Sequence, residues 1–449
     1  MRGSVGFFLD AGKEAGIKNC DGKVEDKTGQ GTHRSRGVFQ YPEAKHAVVM
    51  HLRLAAVLSL ALQAGNTLFA AASKCSPTEP APFSTFPRRV IYDPPAGARA
   101  SYPRHAELRD GTLLVTSTVM GGDWPRNGAA FPVFESKDGG VTWKWISNIT
   151  DQVNGWGMSA QPAIMELREP LGGFRPGTIL ASGNSWSNNG TRIDLYASTD
   201  KARTWKFVSH VAEGGRPNTT NGATPIWEPF LLTYNHELIV YYSDQRDPLH
   251  GQKLAHQRSK DLVNWGPVVN DVRYDEYLAR PGMTVVAEIP TIKKWILVHE
   301  LPVGNSSSHG VNYPVYYRLA DKPTEFDSAP GIPIVIGGKV APNASPYVVW
   351  SPSGGPNGTI VVSDADRDEL YTNRFGGDPD KWEMHPCSQP SAYSRALHIF
   401  EHHPEHLMVL SGAIFDAGGP YDDLSLSVFN LTEVVSKHSD LDKFTGGVN

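Results

Sequence analysis

The sequence predicts an all-β chain folded as a six-bladed β-propeller, and three observations carry that reading. A β-rich apolar run entered through a turn recurs six times, as 111–117, 177–183, 237–243, 294–300, 358–364 and 406–412. Between these runs lie two octapeptides of one pattern, Ser136-Lys-Asp-Gly-Gly-Val-Thr-Trp143 and Ser198-Thr-Asp-Lys-Ala-Arg-Thr-Trp205, and a decayed copy, Ser259-Lys-Asp-Leu-Val-Asn-Trp265. The last repeat lacks a fourth strand of its own, while Arg89-Val-Ile-Tyr92 stands as a spare strand before the first. Pairing of that strand with 424–429 would close the ring and remove its open edge. A pair of β-sandwich domains is the competing all-β reading, and it explains neither the regular octapeptides nor the lone strand.

Each recurrent run is the second strand of a four-stranded unit. Third strands follow at 131–136, 193–198, 253–259 and 314–318, and fourth strands begin at the Trp of each octapeptide, as in Trp143-Lys-Trp-Ile and Trp205-Lys-Phe-Val. Within the octapeptide an Asp carboxylate can bind nearby turn N–H groups, a small fifth residue permits a left-handed backbone, and Trp fills the gap between sheets. The pattern resembles the Asp-box of sialidase-like β-propellers. It names an architecture and no reaction.

The 449 residues include 44 Gly and 34 Pro, a turn-rich composition long enough for one large β domain. A net charge of −5 and a pI near 6.3, without a Lys/Arg cluster, argue against a nucleic-acid surface. Met50-His-Leu-Arg-Leu-Ala-Ala-Val-Leu-Ser-Leu-Ala-Leu, followed by Phe69-Ala-Ala-Ala-Ser73, reads as a signal peptide over 50–73, too short to span a membrane. Residues 1–49 then read as a disordered leader or a mis-placed start, 82–435 as the catalytic propeller and 436–449 as a C-terminal tail. Sequons at Asn148, Asn189, Asn218, Asn305, Asn343, Asn357 and Asn430 fit a secreted, glycosylated, extracellular protein, and a monomer is the expectation although the sequence does not give the oligomeric state. Past the leader only Cys75 and Cys387 remain, either paired or as two free thiols; two cysteines argue against a zinc site, and neither metal nor cofactor is expected.

The innermost strands of a propeller line a central funnel, so their ends are the default site. They carry Tyr102-Pro-Arg104, Gln161-Pro162, Trp227-Glu-Pro-Phe230, Arg280-Pro-Gly282, Ser345-Pro-Tyr347 and Tyr393-Ser-Arg395. Glu228 is an acid inside the apolar run 226–232, costly to bury unless paired, solvated or protonated. Glu300 ends the fourth second-strand run, where other units have Ser, Gly or Asp; Glu288 is its rival. Two carboxyls with different environments suit glycoside hydrolysis, one giving a proton and one acting as nucleophile or base. A salt-bridged acid at a strand start is the bland reading of Glu228.

The order of motifs from Tyr102-Pro-Arg104 through Gly121-Gly-Asp-Trp124, the Asp-box, Ile226-Trp-Glu-Pro and Val298-His-Glu-Leu-Pro resembles glycoside hydrolase family 93 over residues 82–435. The resemblance implies a secreted fungal exo-1,5-α-L-arabinanase, a six-bladed propeller that releases arabinobiose from linear arabinan with retention. It matches Glu228 and Glu300 to the two catalytic glutamates. Which of the two is acid/base and which nucleophile stays open; the aromatic and proline surroundings of Glu228 favour a raised pKa and lean toward acid/base there and nucleophile at Glu300. Trp124, Trp186 and Tyr347 are candidates to stack on sugar rings, Asn184, Asp244 and Asp366 to bind hydroxyls, and Arg104, Arg280 and Arg395 to line the site; packing and turn roles are the alternative for each. The three arginines leave a second reading open, a sialidase with Tyr393 or Tyr347 as nucleophile, although Ser101-Tyr-Pro-Arg104 replaces that family's Phe-Arg-Ile-Pro motif. A non-catalytic sugar-binding propeller is the third.

Overall fold

The computed structural model describes residues 83–121, 129–302, 311–414 and 421–438. Strand β1 (Phe86–Tyr92) precedes five complete sheets: β2–β5 (98–150), β6–β9 (160–214), β10–β13 (226–272), β14–β17 (282–333) and β18–β21 (347–385). The sixth contains β22 (Ala396–Ile399), β23 (His406–Ser411) and β24 (Leu424–Asn430), with a one-turn helix α1 (Leu431–Val435) after it. Every sheet has four antiparallel strands in sequence order, except that β1 adds to the outer edge of the last, in the order β1-β24-β23-β22. Arg89 faces Leu426 and Tyr92 faces Leu424 in that pairing. The expected six blades and the closing strand are therefore both present. Among the described residues no helix is long and apolar enough to cross a membrane.

The core is a ring of layers between neighbouring blades. One apolar cluster joins the second and third sheets, another the first and second, a third the third and fourth, and the largest runs through the fifth and sixth to β1. The Asp-boxes bind these layers together. In the second box, Asp200 Oδ1 accepts from Thr204 N at 2.9 Å and Ser198 Oγ accepts from Ala202 N at 2.9 Å. Ala202, in the left-handed region at φ 62°, then turns its carbonyl to Ser147 Oγ in β5 of the preceding blade, and Trp205 Nε1 donates to that same oxygen at 3.1 Å. The third box repeats the device one blade on. Ser209 Oγ of β9 donates to Leu262 O at 2.6 Å and accepts from Trp265 Nε1 at 3.1 Å. Decay of this box has cost it one residue and the small side chain, yet Leu262 still adopts φ 64°.

The first box faces the closing strand. Gly140 lies at φ 93°, and a Cβ there would stand 2.9 Å from Leu426 Cδ1 and 3.6 Å from the ring of Phe86. Phe86 of β1 thus wedges between the first box and β24, so the ring closes through an apolar contact as well as a ladder. Truncation at this point removes a buried ring, and core Phe→Ala changes cost about 3–5 kcal/mol. Phe86→Ala is expected to lower the midpoint of a single cooperative unfolding transition. Deletion of 83–93 should lower it further, as followed by circular dichroism; an unchanged midpoint would show that β1 does not close the ring.

Candidate active site

The inner strands share a feature that periodicity does not show. Each carries, in it or two residues before it, one non-glycine residue in the left-handed region: Tyr102 (φ 54°), Gln161 (59°), Glu228 (65°), Met283 (64°), Ser345 (46°) and Ser394 (56°). The ladder is interrupted at the first four, between Ser101 and Arg104, Ala160 and Ala163, Trp227 and Phe230, and Gly282 and Val285. Such a bulge re-aims the side chain and frees a backbone N–H from the ladder. Proline follows Tyr102, Gln161, Glu228 and Ser345, and having no N–H of its own it leaves no donor stranded there.

The freed N–H groups connect one blade to the next. Gln161 N donates to Thr118 Oγ1 at 2.9 Å, and Glu228 N reaches both Gln161 Oε1 and Asn184 Oδ1 at 3.2 Å. Met283 N then donates to Glu228 Oε2 at 2.8 Å, and Ser345 N to Glu300 Oε2 at 2.8 Å. Both acids singled out in the sequence are thus held at the same funnel by left-handed amides of the following blade. Glu228 takes a second bond from Ser243 Oγ at 2.6 Å and is 7 % exposed. A Cβ placed on Gly282 would stand 3.3 Å from Glu300 Oε1 and 3.4 Å from Glu228 Oε2. Those two oxygens lie no further apart than the sum of these distances, and a side chain at Gly282 would press on both of them.

Burial raises both carboxyls. Glu300 is pushed up to about 8, by desolvation first and the neighbouring Glu228 charge second, against the Ser345 N–H and Arg280. Glu228 is also raised by desolvation, while Ser243, the Met283 N–H, Arg280 and Arg104 all pull it back down. The raised pKa expected for Glu228 alone is therefore shared, because two donors stabilise the Glu228 carboxylate and one stabilises Glu300. The pair retains a proton near neutral pH.

Of the other candidates, Arg104 is buried with its guanidinium 3.9 Å from the Tyr102 ring and 5.2 Å from that of Tyr347, and Nη2 bonds Ser394 Oγ at 2.9 Å. Arg280 is fixed by Asn221 Oδ1 at 2.6 Å and Gln245 Oε1 at 2.8 Å, and its charge acts on both glutamates. Asn184 is fully buried, bonding Ile226 O at 2.9 Å as well as Glu228 N; it positions the acid and has no surface for a sugar hydroxyl. Trp186 lies two residues further along the same face of its strand, partly exposed. Asp366 is exposed two residues beyond the buried Asp364 and accepts from Asn343 Nδ2. Trp124 lies outside the described residues.

Two candidates are corrected. Asp244 is buried and its carboxylate is occupied by Arg246, through Nε at 2.9 Å and Nη2 at 2.8 Å. Arg395 has no exposed surface, and its guanidinium serves the main-chain carbonyls of Asp368, Glu369 and Gln389. A three-arginine clamp on a substrate carboxylate is therefore absent, since Arg395 cannot reach the funnel. Tyr393, one tyrosine nucleophile of that reading, is held well above its ordinary value by burial and the two glutamates. Glu288 sits at the far end of β14, exposed, beside a cavity of 260 Å³ at the other part of the inner strands. Residues missed in the sequence are Ser243, Met283 and Ser345, of which two act through main-chain N–H groups. Tyr102 and Tyr393 direct their hydroxyls to Met283 Sδ, at 4.0 and 3.9 Å, so that Met283 sits under two aromatic rings.

A sialidase-like propeller with two buried, raised carboxyls over a glycine is a glycoside hydrolase. No family model and no curated protein matches the chain. Among solved structures it is similar to the family 93 α-L-arabinofuranosidase of Fusarium graminearum in complex with arabinobiose, at 45 % identity over 78 % of this chain and 99 % of that one, with a TM-score of 0.75. The α-L-arabinanase of Penicillium chrysogenum, also complexed with arabinobiose, is 41 % identical with a TM-score of 0.73 over 78 % and 99 %. The chain belongs to glycoside hydrolase family 93. The NanB sialidase of Streptococcus pneumoniae, 10 % identical with a TM-score of 0.50 over 78 % of this chain and 71 % of that one, shares the fold alone.

The raised Glu300 makes a stability prediction with a definite sign. Its folded value of about 8 lies above the ordinary 4.5, so between these values the folded protein binds more protons than the unfolded chain and stability falls as pH rises. Glu300→Gln removes that penalty. Its stability relative to wild type is expected to increase from pH 5 to 8 by at most about 1.4 kcal/mol per pH unit, measured by urea denaturation. A pH-independent difference would show that Glu300 is ionised throughout.

Proposed function

We propose that the protein is a secreted, retaining exo-1,5-α-L-arabinanase that releases arabinobiose from the linear arabinan of pectin. The observation that carries the mechanism is the Gly282 floor, which bounds the separation of the Glu228 and Glu300 oxygens. Retaining enzymes hold their carboxyls about 5–5.5 Å apart and inverting ones about 6.5–9.5 Å, and the close approach of one oxygen from each glutamate above Gly282 supports the shorter spacing. One carboxyl attacks the anomeric carbon while the other gives the retained proton to the leaving oxygen; water then completes the cycle with that second carboxyl as base. Arg280 and Arg104 stabilise the anionic member, and Asn184 and Gln161 fix the backbone of Glu228 so that its carboxyl cannot swing away. The substrate class rests on the two relatives solved with arabinobiose. Secretion rests on the apolar segment 50–73 and on sequons, of which Asn148, Asn189 and Asn218 are exposed.

Linear arabinan incubated with the protein is expected to yield arabinobiose, with an unchanged anomeric configuration by proton NMR, and a sialoside is expected to remain intact. Glu228→Ala and Glu300→Ala should each lose several orders of magnitude in turnover while keeping the wild-type circular dichroism. Azide should rescue one of the two and form an inverted glycosyl azide, which identifies the nucleophile. Near-native activity in both variants, or an inverted product from the wild type, would reject the assignment.

A further inference from the structure

The loop between β22 and β23 reads Glu401-His-His-Pro-Glu-His406, a density of imidazoles that the glycosidase site does not use. We propose that His403, Glu405 and His406 form a binding site for a divalent transition metal ion such as Zn²⁺. His403 Nδ1 and His406 Nδ1 lie 3.8 and 3.0 Å from Glu405 Oε1, and all three donor atoms fall within 4.8 Å of one another. In a tetrahedral shell with bonds of about 2.0–2.1 Å, neighbouring donors stand about 3.3–3.4 Å apart, inside that spread. Two imidazoles and one carboxylate suit zinc and its neighbours rather than Mg²⁺ or Ca²⁺, and leave a fourth position for water.

A histidine beside a glutamate on a surface loop is commonly a plain ion pair. Here His406 is only 8 % exposed, and its buried Nδ1 has no hydrogen bond despite the nearby carboxylate, which approaches at the wrong angle. That nitrogen stands among the other two donors and lacks the hydrogen-bond partner that buried polar atoms ordinarily have. The backbone around it is already ordered for binding. His406 N donates to His403 O at 2.8 Å, Ser351 Oγ to Pro404 O at 2.5 Å, and Leu431 N to Glu405 O at 2.7 Å. Phe83, just before the closing strand, stacks on His403 at 4.4 Å between centroids and lies 4.9 Å from His406. Metal on these imidazoles would thus hold the rings against the segment that closes the propeller.

A second group, Glu383, His385 and His438, has a similar spread but a poorer case. His385 Nε2 is already bonded to Thr372 Oγ1 at 2.7 Å and its Nδ1 to Lys437 O, so neither nitrogen is free to ligate.

The test is Zn²⁺ titration of the full chain after EDTA treatment and dialysis, read by calorimetry and by thermal unfolding. Wild type is expected to bind one equivalent more than His403→Ala or Glu405→Gln, both of which alter partly exposed side chains and should leave arabinan hydrolysis unchanged. Because the metal binds the folded form, Zn²⁺ should raise the wild-type unfolding temperature more than that of either variant. Binding should weaken in acid, where imidazoles are protonated, and Mg²⁺ should have no such effect. Equal stoichiometry in wild type and variants, or no Zn²⁺-dependent rise in the wild type, would overturn the proposal.

Discussion

The active site depends on one repeated constraint, a left-handed residue on each inner strand. Such a conformation costs about 1–3 kcal/mol for a residue with a side chain, and it persists only where the surroundings over-determine it. What it gives in return is a main-chain donor that is no longer part of its own ladder. In a ring of blades that donor meets the neighbour, so Thr118, Gln161, Glu228 and Glu300 each accept an N–H from the following blade. Two of those acceptors are the carboxyls proposed to carry the reaction. Their positions are therefore set by the angle between blades as much as by their own strands.

This makes closure of the ring a functional matter. Tyr102 in the first blade bonds through its N–H to Tyr393 O at the entry to the sixth, and Arg104 continues the link through Ser394. A propeller open at that seam would let the first and sixth blades drift and loosen the floor formed by Tyr102, Tyr393 and Met283. The outer devices act against such drift at larger radius. Ser147 and Ser209 tie successive blades through the Asp-box carbonyls and tryptophans, and β1 with Phe86 supplies the corresponding wedge at the seam. Scaffold and site thus share the inter-blade angle while having no side chain in common.

What was legible in the sequence follows from this division. The blades could be counted because a buried second strand needs a β-rich apolar run and its entry needs a turn, as 177–183 and 358–364 show. Glu228 and Glu300 were visible because an acid at the end of such a run contradicts its surroundings. The fate of polar residues beside the funnel was not visible. Asp244 follows Ser243 by one position and so faces the other side of the strand, toward Arg246; Arg395 adjoins Ser394 yet turns inward to loop carbonyls. Asp244 ends β11, the second strand of its blade, and Arg395 lies immediately before β22, so nearness to the funnel did not fix where either side chain points. The recurrent X-Pro pairs after Tyr102, Gln161, Glu228 and Ser345 were the available signal for the inner-strand bulges. Met283 has no proline after it and was hidden, as was any role carried by a main-chain N–H. Cysteine counting, for its part, addressed only thiolate zinc sites and had no bearing on the histidines at 402–406.

The two carboxyls illustrate why the donors matter more than burial alone. Desolvation acts on both, and unrelieved it would leave two neutral acids and no nucleophile. The Ser243 hydroxyl and the Met283 and Ser345 amides stabilise charge at particular oxygens, Oε2 in each case, while Arg280 and Arg104 supply a diffuse positive field. With one carboxyl ionised, repulsion across the Gly282 floor keeps the proton on the other. The close approach of the two carboxyls thus divides the pair into acid and anion before substrate arrives. Ser243 can donate to a carboxylate or accept from a carboxylic acid, so Glu228 keeps a partner in either protonation state.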